Sequence, residues 1–221
     1  MTATLIMPVY LLDDSMWFPP VDEAEDDGLL AVGGDLSTER LLLAYRSGIF
    51  PWFNDEEPIM WWSPDPRFVL FPDNLKVSKS MQQVIRKEEF QFRYDTAFEE
   101  VIAACGDTPR KVMDGTWITD DMRAAYTELH RQGYTHSAEA WQDGELVGGL
   151  YGIKLGNVFF GESMFSRKSN ASKFAFISWV RLLQSQGVQL VDCQLHTPHL
   201  ERLGAEMITR EAFIEYLRGL I

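Results

Sequence analysis

The stretch VDCQLHTPHLERLGAE, residues 191–206, runs from an apolar segment straight into a carboxylate, a thiol, an amide and two histidines. In a regular strand Asp192 and Gln194 share a face with Leu190, while Val191, Cys193 and Leu195 point the other way. A buried strand carries such polar groups only when they are paired or used. Upstream, VFFGESMF (158–165) sets Glu162 inside another apolar strand, with Gly161 leaving room for a close neighbour. Straight alternation places Val158, Phe160, Glu162 and Met164 on one face and Phe159, Gly161, Ser163 and Phe165 on the other. Two acids and an amide at neighbouring strand ends, among Phe, Met and Trp, suit an amine bound in an apolar pocket. The plain alternative is a satisfied polar pair bonded to the next helix terminus.

Other chemistries compete for these residues. Cys193, His196 and His199 have the spacing C-x2-H-x2-H, but a structural zinc site needs four ligands and no second Cys/His pair stands at finger-like spacing. Thr197-Pro198 already explains the local sequence as a helix start, so no metal is expected. Cys193 and His196 as nucleophile and base fail because the thiol of a regular strand faces away from Asp192. SRKSNASK (166–173) brings Arg167, Lys168 and Lys173 to a helix N-terminus, a fair anion site. It has no Walker pattern, and Gly33-Gly34 is not followed by Lys-Ser/Thr, so nucleotide hydrolysis has no support.

The elements that must hold these groups are legible in outline. The segment 136–165 has Asp143-Gly144 and Gly156-Asn157 as tight turns between apolar runs, a three-strand antiparallel meander. A helix over 171–186 follows, with Asn170 as cap and Gly187 as stop, then a strand over 188–195 and a short helix after Thr197. Further helices are expected at 38–47 behind Ser37, at 78–88 behind Ser78, at 96–104, at 119–132 before Gly133, and from about Thr209. The first sixty residues read as loop-rich. IFPWFNDEEPIMWWSPDPR (49–67), crowded with aromatics and prolines, reads as a domain boundary or an aromatic wall. Meander, helix and strand in succession make an α+β chain rather than a doubly wound one.

Composition narrows the classes. At 221 residues and 46% hydrophobic, the chain can bury one large core or two small ones. Two cysteines, Cys105 and Cys193, suggest reduced thiols rather than a disulfide framework. No basic leader and no uncharged stretch near the roughly 20 residues of a spanning helix is present, so a cytoplasmic protein without a membrane partner is expected. The net charge of −13 argues at first against nucleic acid. Its distribution changes that: residues 1–62 hold 12 acids against 2 bases, whereas Asn74–Lys87 holds Lys76, Lys79, Arg86 and Lys87 with no acid. A basic patch on an acidic protein can still take phosphates; an ordinary solvated helix face is the alternative.

Several long blocks together resemble the bacterial leucyl/phenylalanyl-tRNA–protein transferases: FPPVDEAEDDGLLAVGGDLS (18–37), LLLAYRSGIFPWF (41–53), WWSPDPR (61–67), HSAEAWQDGELVGGLYGIKLG (136–156), FFGESMFSRKSNASK (159–173) and residues 191–206. They cover about half the chain, in order. The resemblance implies a small N-terminal domain, 1–66, and a catalytic domain, 67–221, with the GCN5-related acetyltransferase-like fold and a mixed, largely antiparallel sheet. It implies transfer of Leu or Phe, and Met less well, from aminoacyl-tRNA to the α-amine of proteins beginning with Arg or Lys, marking them for degradation. No cofactor is implied; SRKSNAS stands where acetyltransferases carry their Gly-rich pyrophosphate loop.

Residue by residue, the family's catalytic Asp-x-Gln pair falls on Asp192 and Gln194, and its binding Glu on Glu162. The aminoacyl pocket would take Leu150, Phe159, Met164 and Trp179, and the terminal adenosine Trp52 and Trp117. Lys76, Lys79, Arg86 and Lys87 would meet tRNA phosphates. Asp192 is the candidate proton acceptor or orients the amine, and Gln194 is an orienting partner, since a neutral amide is too weak a base to keep a proton. Glu162 would hold a cation, either the donor's ammonium or the acceptor's basic side chain. Two other readings stay open: a CoA-dependent N-acyltransferase of the same fold, and a non-catalytic module that recognises basic N-termini.

Overall fold

A computed structural model describes residues 9–107 and 118–221. The N-terminal part is more regular than its composition suggests. Strands β1 (Tyr10–Leu12), β2 (Leu29–Gly33), β3 (Phe50–Pro51) and β4 (Met60–Trp62) form a four-stranded sheet in the order β1-β2-β4-β3, with α1 (Thr38–Arg46) between β2 and β3. The prolines at 51, 58, 64 and 66 sit at strand ends or between strands, which keeps β3 and β4 to two and three residues rather than abolishing them. Trp61 is fully buried and donates its indole N–H to the Gly33 carbonyl at 2.9 Å, tying β4 across to β2.

The second sheet has seven strands: β5 (Arg67–Leu70), β6 (Gln91–Tyr94), β7 (Thr135–Gln142), β8 (Glu145–Leu155), β9 (Val158–Ser166), β10 (Leu190–Gln194) and β11 (Glu206–Ile208). Their order is β11-β5-β10-β9-β8-β7-β6; β10 runs parallel to β9 and every other pair is antiparallel. The meander expected over 136–165 is β7, β8 and β9. Asp143 and Gly144 turn the β7–β8 hairpin with φ of 53° and 81°, the left-handed pair that a tight hairpin requires. Strands β5, β6 and β11 fall in short segments without a period long enough to announce them.

Helices cover both faces. Helix α2 (Lys79–Arg86) and α5 (Ala171–Ser185) pack on one side, with Met81, Val84, Phe174, Ile177 and Leu183 meeting Phe68, Leu150, Phe159 and Val191. On the other side α3 (Phe98–Gly106), α4 (Asp120–Arg131) and α7 (Arg210–Leu220) join α1 and the small sheet, so Tyr45, Trp61, Tyr126, Phe160 and Phe213 lie in one buried cluster. Short α6 (Pro198–Glu201) links β10 to β11. Side-chain oxygens of Ser37, Ser78, Thr119, Thr197 and Thr209 accept from backbone amides at the starts of α1, α2, α4, α6 and α7. Asn170 differs from its expected role: it occupies the cap position of α5 in a left-handed conformation, φ 69°, and its side chain bonds no amide. Among the described residues no helix is long and apolar enough to cross a membrane.

A candidate active site where β9 and β10 diverge

Strands β9 and β10 pair only through Leu190–Val158, Val191–Phe159 and Asp192–Phe160. Beyond that point β9 continues, while β10 turns off at Gln194, whose φ is 59°. A cavity of about 430 Å³ opens in the gap. Leu150, Met164, Phe176, Val191 and Leu200 supply its apolar lining, and Glu162, Asp192, Gln194 and His199 its polar one.

Two irregularities aim these side chains. In β9, Gly161 faces Gly152 and Ser163 faces Tyr151, so Glu162 is an extra residue, a β-bulge. A Cβ at Gly152 would lie 2.1 Å from the Phe160 carbonyl oxygen, so only glycine fits there. The bulge overturns the straight alternation expected for β9. Phe160 and Phe165 pack in the same cluster, and Phe159 and Met164 both belong to the opposite one with Leu150 and Trp179. In β10 the register against β5 slips between Asp192 and Gln194, so the two residues do not share a face by simple alternation, yet both line the cavity.

Asp192 is fully buried and takes a two-pronged bond from Arg67, Nε to Oδ1 at 2.9 Å and Nη2 to Oδ2 at 2.7 Å. The guanidinium lies between the rings of Phe50 and Phe213, 4.7 and 4.6 Å from their centroids, and also donates to the Gly48 carbonyl at 3.1 Å. The Gln194 backbone N–H donates to Asp192 Oδ1 at 2.9 Å, which holds Gln194 in its left-handed conformation. Three of the four lone-pair sites on Asp192 are thereby filled.

Glu162 stands in different surroundings. Gln194 Nε2 donates to its Oε1 at 3.1 Å and the Tyr126 hydroxyl to its Oε2 at 3.2 Å. The Tyr126 hydroxyl is in turn hydrogen-bonded to that of Tyr45. Burial pushes the Glu162 carboxyl up to about 7; the two tyrosine hydroxyls pull it down, and the charge of Asp192 adds to the rise. Burial likewise raises Tyr45 and Tyr126, which stay neutral donors. Burial, then the charge of Asp192, lifts the Cys193 thiol far above the thiolate range, which removes it as a nucleophile. Burial lowers His199, helped by the charges of Lys173 and Arg202.

The expected site residues separate into groups. Asp192, Gln194, Glu162, Leu150 and Met164 come together on the cavity. Phe159 and Trp179 are buried behind its apolar wall, ring centroids 5.5 Å apart, and are not among its lining residues. Trp52 lies in the N-terminal part against Trp62, with centroids 5.6 Å apart. Trp117 lies outside the described residues. Lys76, Lys79, Arg86 and Lys87 are all exposed, on α2 and its approach. Arg167 and Lys168 of the alternative anion site are engaged, with the Leu146 carbonyl and with Gln142.

Arg67, Tyr45 and Tyr126 are the site residues that the sequence did not single out. An arginine opening the apolar strand RFVL carries the same buried-charge signal as Asp192, so Arg67 was findable. Tyr45 and Tyr126 sit on the apolar faces of α1 and α4 and look like any core tyrosine.

The model of the leucyl/phenylalanyl-tRNA protein transferase N-terminal domain matches residues 34–65, and that of leucyl/phenylalanyl-tRNA protein transferase matches residues 69–218. The leucyl/phenylalanyl-tRNA–protein transferase of Syntrophobacter fumaroxidans is 56% identical over 96% of this chain and 90% of its own. The enzymes of the same name from Chromobacterium violaceum and Flavobacterium johnsoniae are 57% and 54% identical, over 91% and 96% of this chain and 87% and 100% of theirs. With both family models and nearly the whole length of such relatives matched, the chain belongs to the leucyl/phenylalanyl-tRNA protein transferase family.

Proposed function

We propose that this enzyme moves Leu or Phe, and Met less well, from aminoacyl-tRNA to the α-amine of proteins beginning with Arg or Lys, in the cytoplasm, marking them for N-end rule degradation. The observation that carries this reading is the cavity between β9 and β10, apolar at Leu150, Met164 and Phe176 and edged by Glu162 and Gln194. An apolar hollow with a carboxylate and an amide at its edge suits an aliphatic or aromatic side chain whose reacting carbonyl stays at the polar end.

The donor is an ester and the attacker an amine, so no enzyme-bound acyl intermediate is required. An α-amine titrates near 8, leaving a sizeable neutral fraction at cellular pH. Positioning of the two reactants therefore supplies much of the acceleration. Asp192, clamped by Arg67, orients Gln194, and Gln194 orients Glu162 beside the reacting centre. Residues 1–66 form the smaller domain and 67–221 the catalytic one. Trp52 and Trp117 stack on the terminal adenosine. Phe159 and Trp179 back the pocket from behind. Lys76, Lys79, Arg86 and Lys87 take tRNA phosphates, and the acidic N-terminal region attracts a doubly cationic N-terminus.

The test is transfer of labelled Leu from charged tRNA to a peptide beginning with Arg, with an Ala-initiated peptide and acetyl-CoA as controls. The Arg peptide gains one labelled residue, the Ala peptide none, and acetyl-CoA donates nothing. Equal labelling of both peptides, or acetylation of either, contradicts the reading.

A further inference from the structure

The cavity holds two carboxylates, and only one is placed to accept a proton. Asp192 faces a guanidinium through both oxygens and gives a further lone pair to the Gln194 backbone N–H. A proton arriving there would have to displace a buried ion pair. Glu162 takes the Gln194 side-chain amide on Oε1 and the Tyr126 hydroxyl on Oε2, with the Tyr45 hydroxyl also acting on it; among the described residues its donors are all neutral. The bulge at Gly161–Ser163 turns Glu162 onto the cavity as the extra residue of β9.

Resting on the transfer reaction proposed above, we propose that Glu162 is the proton acceptor of the reaction, with Tyr126, Tyr45 and Gln194 as the residues that position it. The neutral amine attacks the ester carbonyl carbon and the N–C bond forms. The nitrogen then gives its proton to Glu162. The C–O bond to the ribose breaks with its electron pair on the ribose oxygen, which takes that proton from Glu162. One proton has moved from nitrogen to oxygen, and the carboxylate is restored. A group that both accepts and returns a proton works best when it titrates near the working pH, and burial holds Glu162 at about 7. The titratable groups that act on it are Tyr45 from α1, Tyr126 from α4 and Asp192 from β10; Cys193 and His199 line the same cavity, and Tyr151 of β8 stands edge-on to Tyr126 at 5.7 Å. Arg67 of β5 acts on it only through Asp192.

The experiment is the pH profile of kcat at saturating donor and Arg peptide, for the full chain and three variants. The wild type gains rate as pH rises through about 7, where Glu162 loses its proton. Glu162→Gln, nearly isosteric, loses roughly 10²-fold or more in kcat and loses that limb, while donor KM stays within a few-fold. Asp192→Asn loses rate at every pH and keeps a limb, moved to lower pH because the charge that helps raise Glu162 is gone. Tyr126→Phe removes a bond that favours the charged carboxylate, so its limb moves to higher pH with a smaller loss of rate. A Glu162→Gln variant that keeps kcat and the limb but raises KM for donor or peptide would overturn the proposal, leaving Glu162 a cation binder only. If Glu162→Gln does not fold, a limb unmoved in Tyr126→Phe overturns it instead. A wild type that transfers nothing to the Arg peptide contradicts the proposed function, which is a separate outcome.

Discussion

The two walls of the cavity differ by one charge. On β10, Asp192 has a guanidinium locked between two aromatic rings, so the wall is neutral overall and stiff. On β9, Glu162 has uncharged donors and, among the described residues, no cation pairs with it. The same functional group therefore serves as a fixed strut on one strand and as a titrating group on its neighbour. Burial alone does not decide the role of a carboxylate; the partner at its oxygens does.

Removing the guanidinium is the most forceful way to break this contrast. Arg67→Met leaves a buried carboxylate without its partner and costs about 3–5 kcal/mol of stability, measured by urea unfolding. A loss under about 1 kcal/mol would show that Asp192 reaches water or another cation. Glu162 gives an effect of opposite character. Its folded value of about 7 lies above the ordinary 4.5, so the folded state holds a proton that the unfolded chain has released. Stability falls as pH rises between those values and levels off above, by roughly 3 kcal/mol. Glu162→Gln abolishes that decline and is the more stable protein at pH 8. An unchanged pH dependence of unfolding would place the titration elsewhere.

Much of this arrangement was legible in the sequence. Ser37, Ser78 and Thr197 cap helices at the expected starts, because a cap is a local interaction. Asp143-Gly144 announces its hairpin for the same reason. Asp192, Gln194 and Glu162 stood out as polar groups inside apolar strands. Long-range and irregular features escaped. No local pattern links Arg67 to Asp192, 125 positions away. The bulge at Glu162 breaks the period of two on which the face assignment of β9 rested, and brings Phe159 and Met164 to one side. Strands β3 and β4 are too short, between prolines, to show alternation.

Smaller effects sharpen the contrast between the apolar and polar ends of the hollow. Leu150→Ala enlarges the apolar end and shifts donor preference toward Phe over Leu by about 1–3 kcal/mol in kcat/KM, read from competing charged tRNAs. An unchanged ratio would place the side chain elsewhere. Replacing Lys76, Lys79, Arg86 and Lys87 together by Ala leaves the cavity intact and lowers the salt slope of tRNA binding by roughly 3. An unaltered slope would free that surface of phosphate contacts.

The most direct measurement is a crystal structure with a non-hydrolysable 3′-amide analogue of phenylalanyl-adenosine. The phenyl ring should lie between Leu150 and Met164, with the amide within hydrogen-bond reach of Glu162. A ring bound anywhere outside the β9–β10 gap, or an amide turned away from Glu162 toward Asp192, would contradict the account.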